Sequence, residues 1–328
     1  MTEPMRTGVF KSVRRKLLSL LPRLAVQRER DGGLPAPIVP DPDRSGIALV
    51  AIVRNEERYV GEWLDYHMLV GARHVYVYDN GCTDRTVEIL RQSRWAERIT
   101  VIPWRNFDAA VRIQNAAYNH ALANFGNRYR WMGFIDVDEF IVPKEFDNLD
   151  EALVDFQDIA ALSLPWHMFG PSGHDTQPAG LVVENYLERA EFPPRPDVVS
   201  LLNYKTIVDP TKVQKVKTHH VELFGEADVM WNDRKEKFSY RDRFEPRHAT
   251  ADALQLNHYF TRSHEEMRTK IAKGRVSKDG RAKNADHLDE QVRKLLKYTT
   301  RDTTILRFLS ALRQVTAENA AIALSTEK

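Results

Sequence analysis

Cysteine is nearly missing: Cys82 is the one such residue in 328, which excludes an internal disulfide framework and a multi-cysteine zinc site. Also missing is any run near the roughly 18 apolar residues that a membrane span needs. The patch Leu17-Leu18-Ser19-Leu20-Leu21 is too short for a signal-peptide core and is closed by Pro22-Arg23. An excess of one charge sign is absent, since 48 basic side chains face 46 acidic ones for a net +2. That balance argues against a nucleic-acid partner, whose footprint is strongly basic. Glycine-rich phosphate loops are absent as well: neither a Walker-type glycine–lysine loop nor a Gly-x-Gly-x-x-Gly turn follows the first strand-like run. A cytoplasmic protein, soluble or peripheral to a membrane, is the expectation that remains.

What is present is enough apolar content, 42%, to fill the core of one large domain or two ordinary ones. The charge is uneven. Residues 1–30 hold eight basic and two acidic side chains, so that segment is +6 and the remainder is −4. Phe10, Val13, Leu17, Leu20, Leu21 and Leu24 recur there at helical spacing, which suits either a basic amphipathic helix on an anionic membrane or a loosely packed tail. Residues 31–45, with four prolines and two glycines, read as a linker.

From Gly46 the pattern changes. Residues 47–53 form a continuous apolar run, as expected of a parallel strand buried on both faces. Helical spacing follows at Val60, Trp63, Leu64, His67 and Met68, and strands are expected at 74–78, 99–102 and 131–135, with helices over 83–92 and around 113–122. Alternating strands and helices specify an α/β unit with a mostly parallel sheet. Ligands of such sheets lie beyond the strands' carboxyl ends. The residues placed there are Arg54-Asn55-Glu56, then 79–84 (Asp-Asn-Gly-Cys-Thr-Asp), then Asp136-Val137-Asp138-Glu139. Two aspartates at one strand end repel unless one is protonated or a cation lies between them. Hard ions such as Mg²⁺ or Mn²⁺ accept carboxylate oxygens and bridge to phosphates, so the pattern points to a divalent-metal site for a phosphorylated ligand rather than a solvated turn.

These motifs resemble those of nucleotide-sugar glycosyltransferases with the GT-A fold, and more closely glycosyltransferase family 92 and related bacterial family-2-like enzymes. The resemblance is carried in order by Asn55-Glu56-Glu57, 62–67 with Gly71, 78–84, Gln114, 131–140, Trp166 with 169–173, 205–210 and 256–263. One departure is Cys82, where the related motif has serine. The resemblance implies a GT-A-like fold and metal-dependent transfer of a sugar from a nucleoside diphosphate, commonly UDP, to a hydroxyl of a glycan or glycolipid acceptor, with inversion. It implies that Asn55, Glu56, Asp79 and Gln114 hold the nucleoside. Asp138, and less directly Asp136, would bind Mn²⁺ or Mg²⁺ and the ribose–diphosphate.

The second half is less regular. A helix is expected over 147–158 and a strand over 159–164, followed by a loop with Trp166, His174 and Asp175 that suits sugar recognition as well as it suits a plain structural loop. Asp175 and Glu184 are candidate bases, with Asp175 favoured for its loop position. Residues 189–197, with three prolines, read as an insertion or lid. If 212–220 is an exposed strand, His219 and His220 point to opposite faces. Ser263 and Glu266 are spaced as a capping box, and Gly274 is expected to end that helix. Beside it, His258 and Arg262 could complete metal or diphosphate binding. Residues 262–301 hold twelve basic and six acidic side chains, a basic lid or a solvated face. Ile305, Phe308, Leu309 and Leu312 mark a last helix. The expected organisation is a tail and linker (1–45), a catalytic domain (46–260) and a C-terminal helical extension (261–328). Two rivals are nucleotidyl transfer, which would need a triphosphate loop, and a carbohydrate-binding scaffold without catalysis.

Overall fold

The structure is a computed structural model that describes residues 33–105, 107, 111–272 and 285–326. The expectations for residues 1–30 and for Gly274 therefore lie outside the described residues. The apolar run is β1 (Ile47–Val53), in the middle of a 10-stranded sheet. Then come α1 (Val60–Leu69), β2 (Ala72–Asp79), α2 (Thr86–Gln92), β3 (Ile99–Pro103), α3 (Ile113–Phe125) and β4 (Trp131–Phe134). β3, β2, β1 and β4 lie side by side and parallel. Because side chains alternate along a strand, β1 feeds two cores. Ile47, Leu49, Ala51 and Val53 pack with Trp63 and Leu64 of α1 and Leu90 of α2. Ala48 and Val50 pack with Ala117, Tyr118, Ala121 and Leu122 of α3 on the other face. Gly133 is required where β4 passes β1, since a Cβ there would come within 2.8 Å of the Leu49 Cδ2.

Beyond β4 the chain continues as β5 (Glu139–Pro143), α4 (Leu149–Ala152), β6 (Ala161–Met168), α5 (Val182–Asn185), β7 (Glu188–Ala190), β8 (Tyr204–Val208), β9 (Val213–Val216), β10 (Val221–Leu223), β11 (Met230–Trp231), β12 (Lys237–Phe238), β13 (Leu254–His258), α6 (His264–Ala272), α7 (Ala285–Lys297), β14 (Thr299–Arg301) and α8 (Leu309–Thr326). The sheet order is β12-β11-β6-β8-β4-β1-β2-β3, with β13 pairing with both β5 and β6. β8 runs antiparallel between β4 and β6, so the sheet is parallel in its first half and mixed in its second. Among the described residues no helix is long and apolar enough to cross a membrane.

Several local expectations shift. The helix expected at 83–92 begins at Thr86, because Thr83 donates its N–H to Asn55 Oδ1 (2.8 Å) and Asp84 Oδ1 takes the Thr86 N–H (3.0 Å). The helix expected over 147–158 shortens to α4 and a 3₁₀ turn at Val154–Phe156. His219 and His220 sit in the β9–β10 turn and not on a strand; His219 meets Trp166 edge-on and His220 stacks on Tyr240. The proline-rich 189–197 stretch includes the end of β7, which pairs with β14, and leads to Val198 and Leu201, both buried. At the C-terminal end, Ile305 and Leu312 share the core of Trp63.

Candidate active site

The strand directions bring the polar residues to one rim. β1, β2, β4, β6 and β13 end there, whereas β8 and β5 begin there, since each is antiparallel to a neighbour. Asp136 follows β4, Lys205 is the second residue of β8, and Glu139 pairs in register with His258.

Lys205 is fully buried and donates to Asp136 Oδ2 at 2.8 Å, with Glu139 Oε2 at 3.6 Å. Asp136 Oδ1 accepts from Gln114 Nε2 (2.8 Å) and the Tyr118 hydroxyl (3.4 Å). Burial would raise the Asp136 carboxyl, but the Lys205 ammonium outweighs it and holds it below the usual range. Glu139 goes the other way: burial, opposed by Lys205 and reinforced by both aspartates, lifts it to about 8. The group is thus an ionised Asp136–Lys205 pair beside a Glu139 whose burial favours its protonated form. Burial would discharge Lys205, yet Asp136, the nearer carboxylate, keeps it charged.

Asp138 opens instead into a cleft of about 530 Å³ lined by Arg54, Asn55, Glu56, Arg58, Tyr59 and Arg262 among others. Its Oδ2 lies 2.8 Å from Lys270 Nζ and 3.6 Å from His258 Nε2. Against burial, which raises it, Lys270, His258 and Arg262 hold the Asp138 carboxyl well below its ordinary value. Burial lowers the His258 imidazole, against the pull of Asp138. On the opposite wall Asn55 has φ +57°, and its side chain accepts from Thr83, which joins the loops after β1 and β2. The Glu56 N–H donates to Thr86 Oγ1 at 2.8 Å. Cys82 fills its serine-like position by receiving the Asn55 N–H at 3.4 Å and giving its own N–H to Asp79 Oδ1 at 2.7 Å. Asp79 lies under that loop, and although burial raises its carboxyl, Arg105 and the Cys82 hydrogen bonds together lower it.

The capping box of α6 is present: Glu266 N–H donates to Ser263 Oγ (3.2 Å) and Ser263 N–H to Glu266 Oε2 (3.1 Å). Glu266 also accepts from the Tyr59 and Tyr186 hydroxyls. The Arg262 guanidinium lies 3.3 Å above the Tyr59 ring, with its backbone at φ +53°.

Of the sequence-derived candidates, Asn55, Glu56, Asp138 and Arg262 line one cleft, and His258 borders it through Asp138. Gln114 and Asp136 are held together behind it. Trp166 packs on the His258 ring at 4.3 Å. His174 and Asp175 lend backbone carbonyls to the α6 N–H groups of His264 and Glu265, with the Asp175 side chain exposed. Glu184 is set apart: it receives the Leu181 N–H (2.9 Å) and pairs with Arg313. Tyr59 and Lys270 were not singled out in the sequence; Glu139, Glu266 and Lys205 were marked only as part of a strand end, a capping box and a motif, with no site role of their own. Lys205 had a signal, a lysine directly before Thr206-Ile207-Val208; Lys270 was one of many basic residues.

Among the described residues no group of three or more histidine, cysteine or carboxylate side chains gathers as a metal cage. Asp138 and His258 still fit a divalent ion that takes its other ligands from phosphate oxygens, as hard cations do at phosphate sites. Asp136, with both oxygens engaged, fits the supporting role.

Fold and site together define an α/β domain with a polar cleft at its strand ends. The chain belongs to glycosyltransferase family 92, whose model matches residues 50–298. A family 92 protein of Ricinus communis is 28% identical over 220 residues, covering 65% of this chain and 35% of the relative. One of Oryza sativa subsp. japonica is 26% identical over 212 residues, covering 60% and 35%. The chain thus spans about a third of the length of these curated relatives. Among solved structures, Staphylococcus aureus TarS 1-349 in complex with UDP is similar at 18% identity and TM-score 0.31, over 50% of this chain and 47% of that one. Glucosyl-3-phosphoglycerate synthase from Mycobacterium tuberculosis, in complex with Mn²⁺, UDP-glucose and phosphoglyceric acid, is similar at 16% and 0.28, over 52% and 58%.

Proposed function

We propose that the protein transfers a glycosyl group from a nucleoside diphosphate sugar, with UDP as the nucleotide, to a hydroxyl of a glycan or glycolipid. The observation that carries this is Asp138 beside His258 at the mouth of a cleft whose rim holds Arg54, Arg58, Arg262 and Lys270. Asn55 and Glu56 face the nucleoside, with Asp79 and Gln114 holding the loops and Asp136 beneath it. Asp138 and His258 would hold Mn²⁺ or Mg²⁺, which supplies positive charge against the departing diphosphate. Transfer is a single displacement with inversion. The acceptor oxygen forms the new bond to the anomeric carbon while the bond to the diphosphate breaks and its electron pair leaves with the diphosphate. The acceptor proton passes to a carboxylate. Asp175, exposed on the loop after β6, suits that role better than Glu184, which holds Arg313. Trp166 and His174 stand on the acceptor side.

Calorimetry with UDP, with and without Mn²⁺, tests the reading on the full chain. Asp138→Asn is expected to weaken Mn²⁺-dependent UDP binding at least about tenfold, or ~1.4 kcal/mol. No affinity for UDP in the wild type would favour a scaffold, and a triphosphate bound far more tightly would favour nucleotidyl transfer.

A further inference from the structure

Asp138 Oδ2 is shared by two cationic or metal-ligating groups, and one of them does not belong to a metal site. Lys270 Nζ donates to it at 2.8 Å and to the Phe260 carbonyl at 3.0 Å. His258 Nε2 waits 3.6 Å from the same oxygen. The ammonium thus stands where a positive charge between Asp138 and the diphosphate would be needed. It is also free to leave, since the Lys270 side chain is 42% exposed. The start of α6 is not free: its capping box and the Tyr59 and Tyr186 hydroxyls pin Glu266. Lys270 is thus a long, partly exposed side chain on a helix whose start is pinned.

We propose that Lys270 holds the cation position at Asp138 until a divalent ion and a nucleoside diphosphate arrive, and then exchanges Asp138 for the diphosphate. This rests on the glycosyl-transfer reading of the cleft and adds to it a coupling between the two ligands. Without nucleotide, an incoming ion must displace an ammonium of like charge, so metal alone binds weakly. With a diphosphate present, Lys270 gains a new anionic partner and the cost disappears. Arg262, whose buried Nε has no partner among the described residues, faces the same cleft and stays on the Tyr59 ring. Lys270 in this scheme binds the diphosphate directly once it has left Asp138.

The test measures Mn²⁺ affinity from the free-ion electron paramagnetic resonance signal, and UDP affinity by calorimetry, for wild type, Lys270→Met and Lys270→Arg. Removing a partly exposed ion pair is expected to tighten Mn²⁺ binding without nucleotide roughly fivefold in Lys270→Met. The same variant is expected to bind UDP in Mn²⁺ at least about fivefold more weakly, whereas Lys270→Arg follows the wild type in metal binding. Equal Mn²⁺ affinities in wild type and Lys270→Met, with wild-type Mn²⁺–UDP binding intact, would overturn the exchange and leave the function standing. UDP bound equally well in chelator and lost in Lys270→Met would also overturn it, making Lys270 a permanent replacement for the ion. Wild type that retains neither Mn²⁺ nor UDP removes the functional reading itself. Unchanged circular dichroism in both variants excludes a folding defect as the cause.

Discussion

Replacing Lys205 by methionine keeps the length of the side chain and deletes the charge that balances Asp136. The expected cost follows from the surroundings. Breaking a buried ion pair from one side costs about 3–5 kcal/mol, because the remaining charge is left uncompensated. Two features put this site at the lower end. The Asp136 side chain keeps 28% exposure and the Gln114 donor, and burial already favours the neutral form of Glu139. A loss of about 3 kcal/mol is therefore expected, which is roughly two decades in the folding equilibrium. Urea unfolding at pH 7 measures it, and Lys205→Met combined with Asp136→Asn should recover more than half, because the second change removes the orphaned charge. A single-variant loss below about 1 kcal/mol, or no recovery in the pair, would show that Lys205 does not hold the acidic cluster.

Three further outcomes are expected. Burial lifts the Glu62 carboxyl to about 7 in the folded protein, so its contribution to stability is full below its unfolded value and falls as pH rises through 7. Glu62→Gln should flatten that fall, by up to ~3 kcal/mol between about pH 4.5 and 7.5, in denaturant midpoints taken across the range; parallel curves for the two proteins would refute it. Burial pushes the Cys82 thiol up to about 11, so alkylation followed by mass spectrometry at pH 8 should run at least about a hundredfold slower folded than in urea; similar rates would contradict the packing against Asn55 and Asp79. Deleting residues 1–30, a segment of net +6, should lower co-sedimentation with anionic liposomes at low salt, and unchanged binding would make it a plain tail.

The first half of the fold was legible because its strands are buried on both faces and spell this as unbroken apolar runs: 47–53 is strand to the residue. The cleft was legible in part because a parallel sheet fixes where polar residues after strands must gather, which brought Asn55, Glu56 and Asp138 together. What escaped were residues whose role comes from partners distant in sequence. Lys205 meets Asp136 across 69 positions and Lys270 meets Asp138 across 132, and neither spacing leaves a local pattern. The helix expected over 147–158 failed for the opposite reason. Its apolar spacing is real, but Leu149, Ala152 and Phe156 reach the core through a short helix and a 3₁₀ turn rather than one cylinder.

The backward course of β8 has a consequence for how this cleft can diversify. The chain leaves the rim at Met168 and returns to the same rim at Tyr204, so everything between is an excursion with its two ends fixed by the sheet. Lengthening a flexible excursion costs about 0.6 kcal/mol per doubling. That is far less than moving a buried lysine. The exposed stretch around Gln177, which lines the cavity, can therefore be rewritten or lengthened, while the charges that balance Asp136 stay where the strands put them.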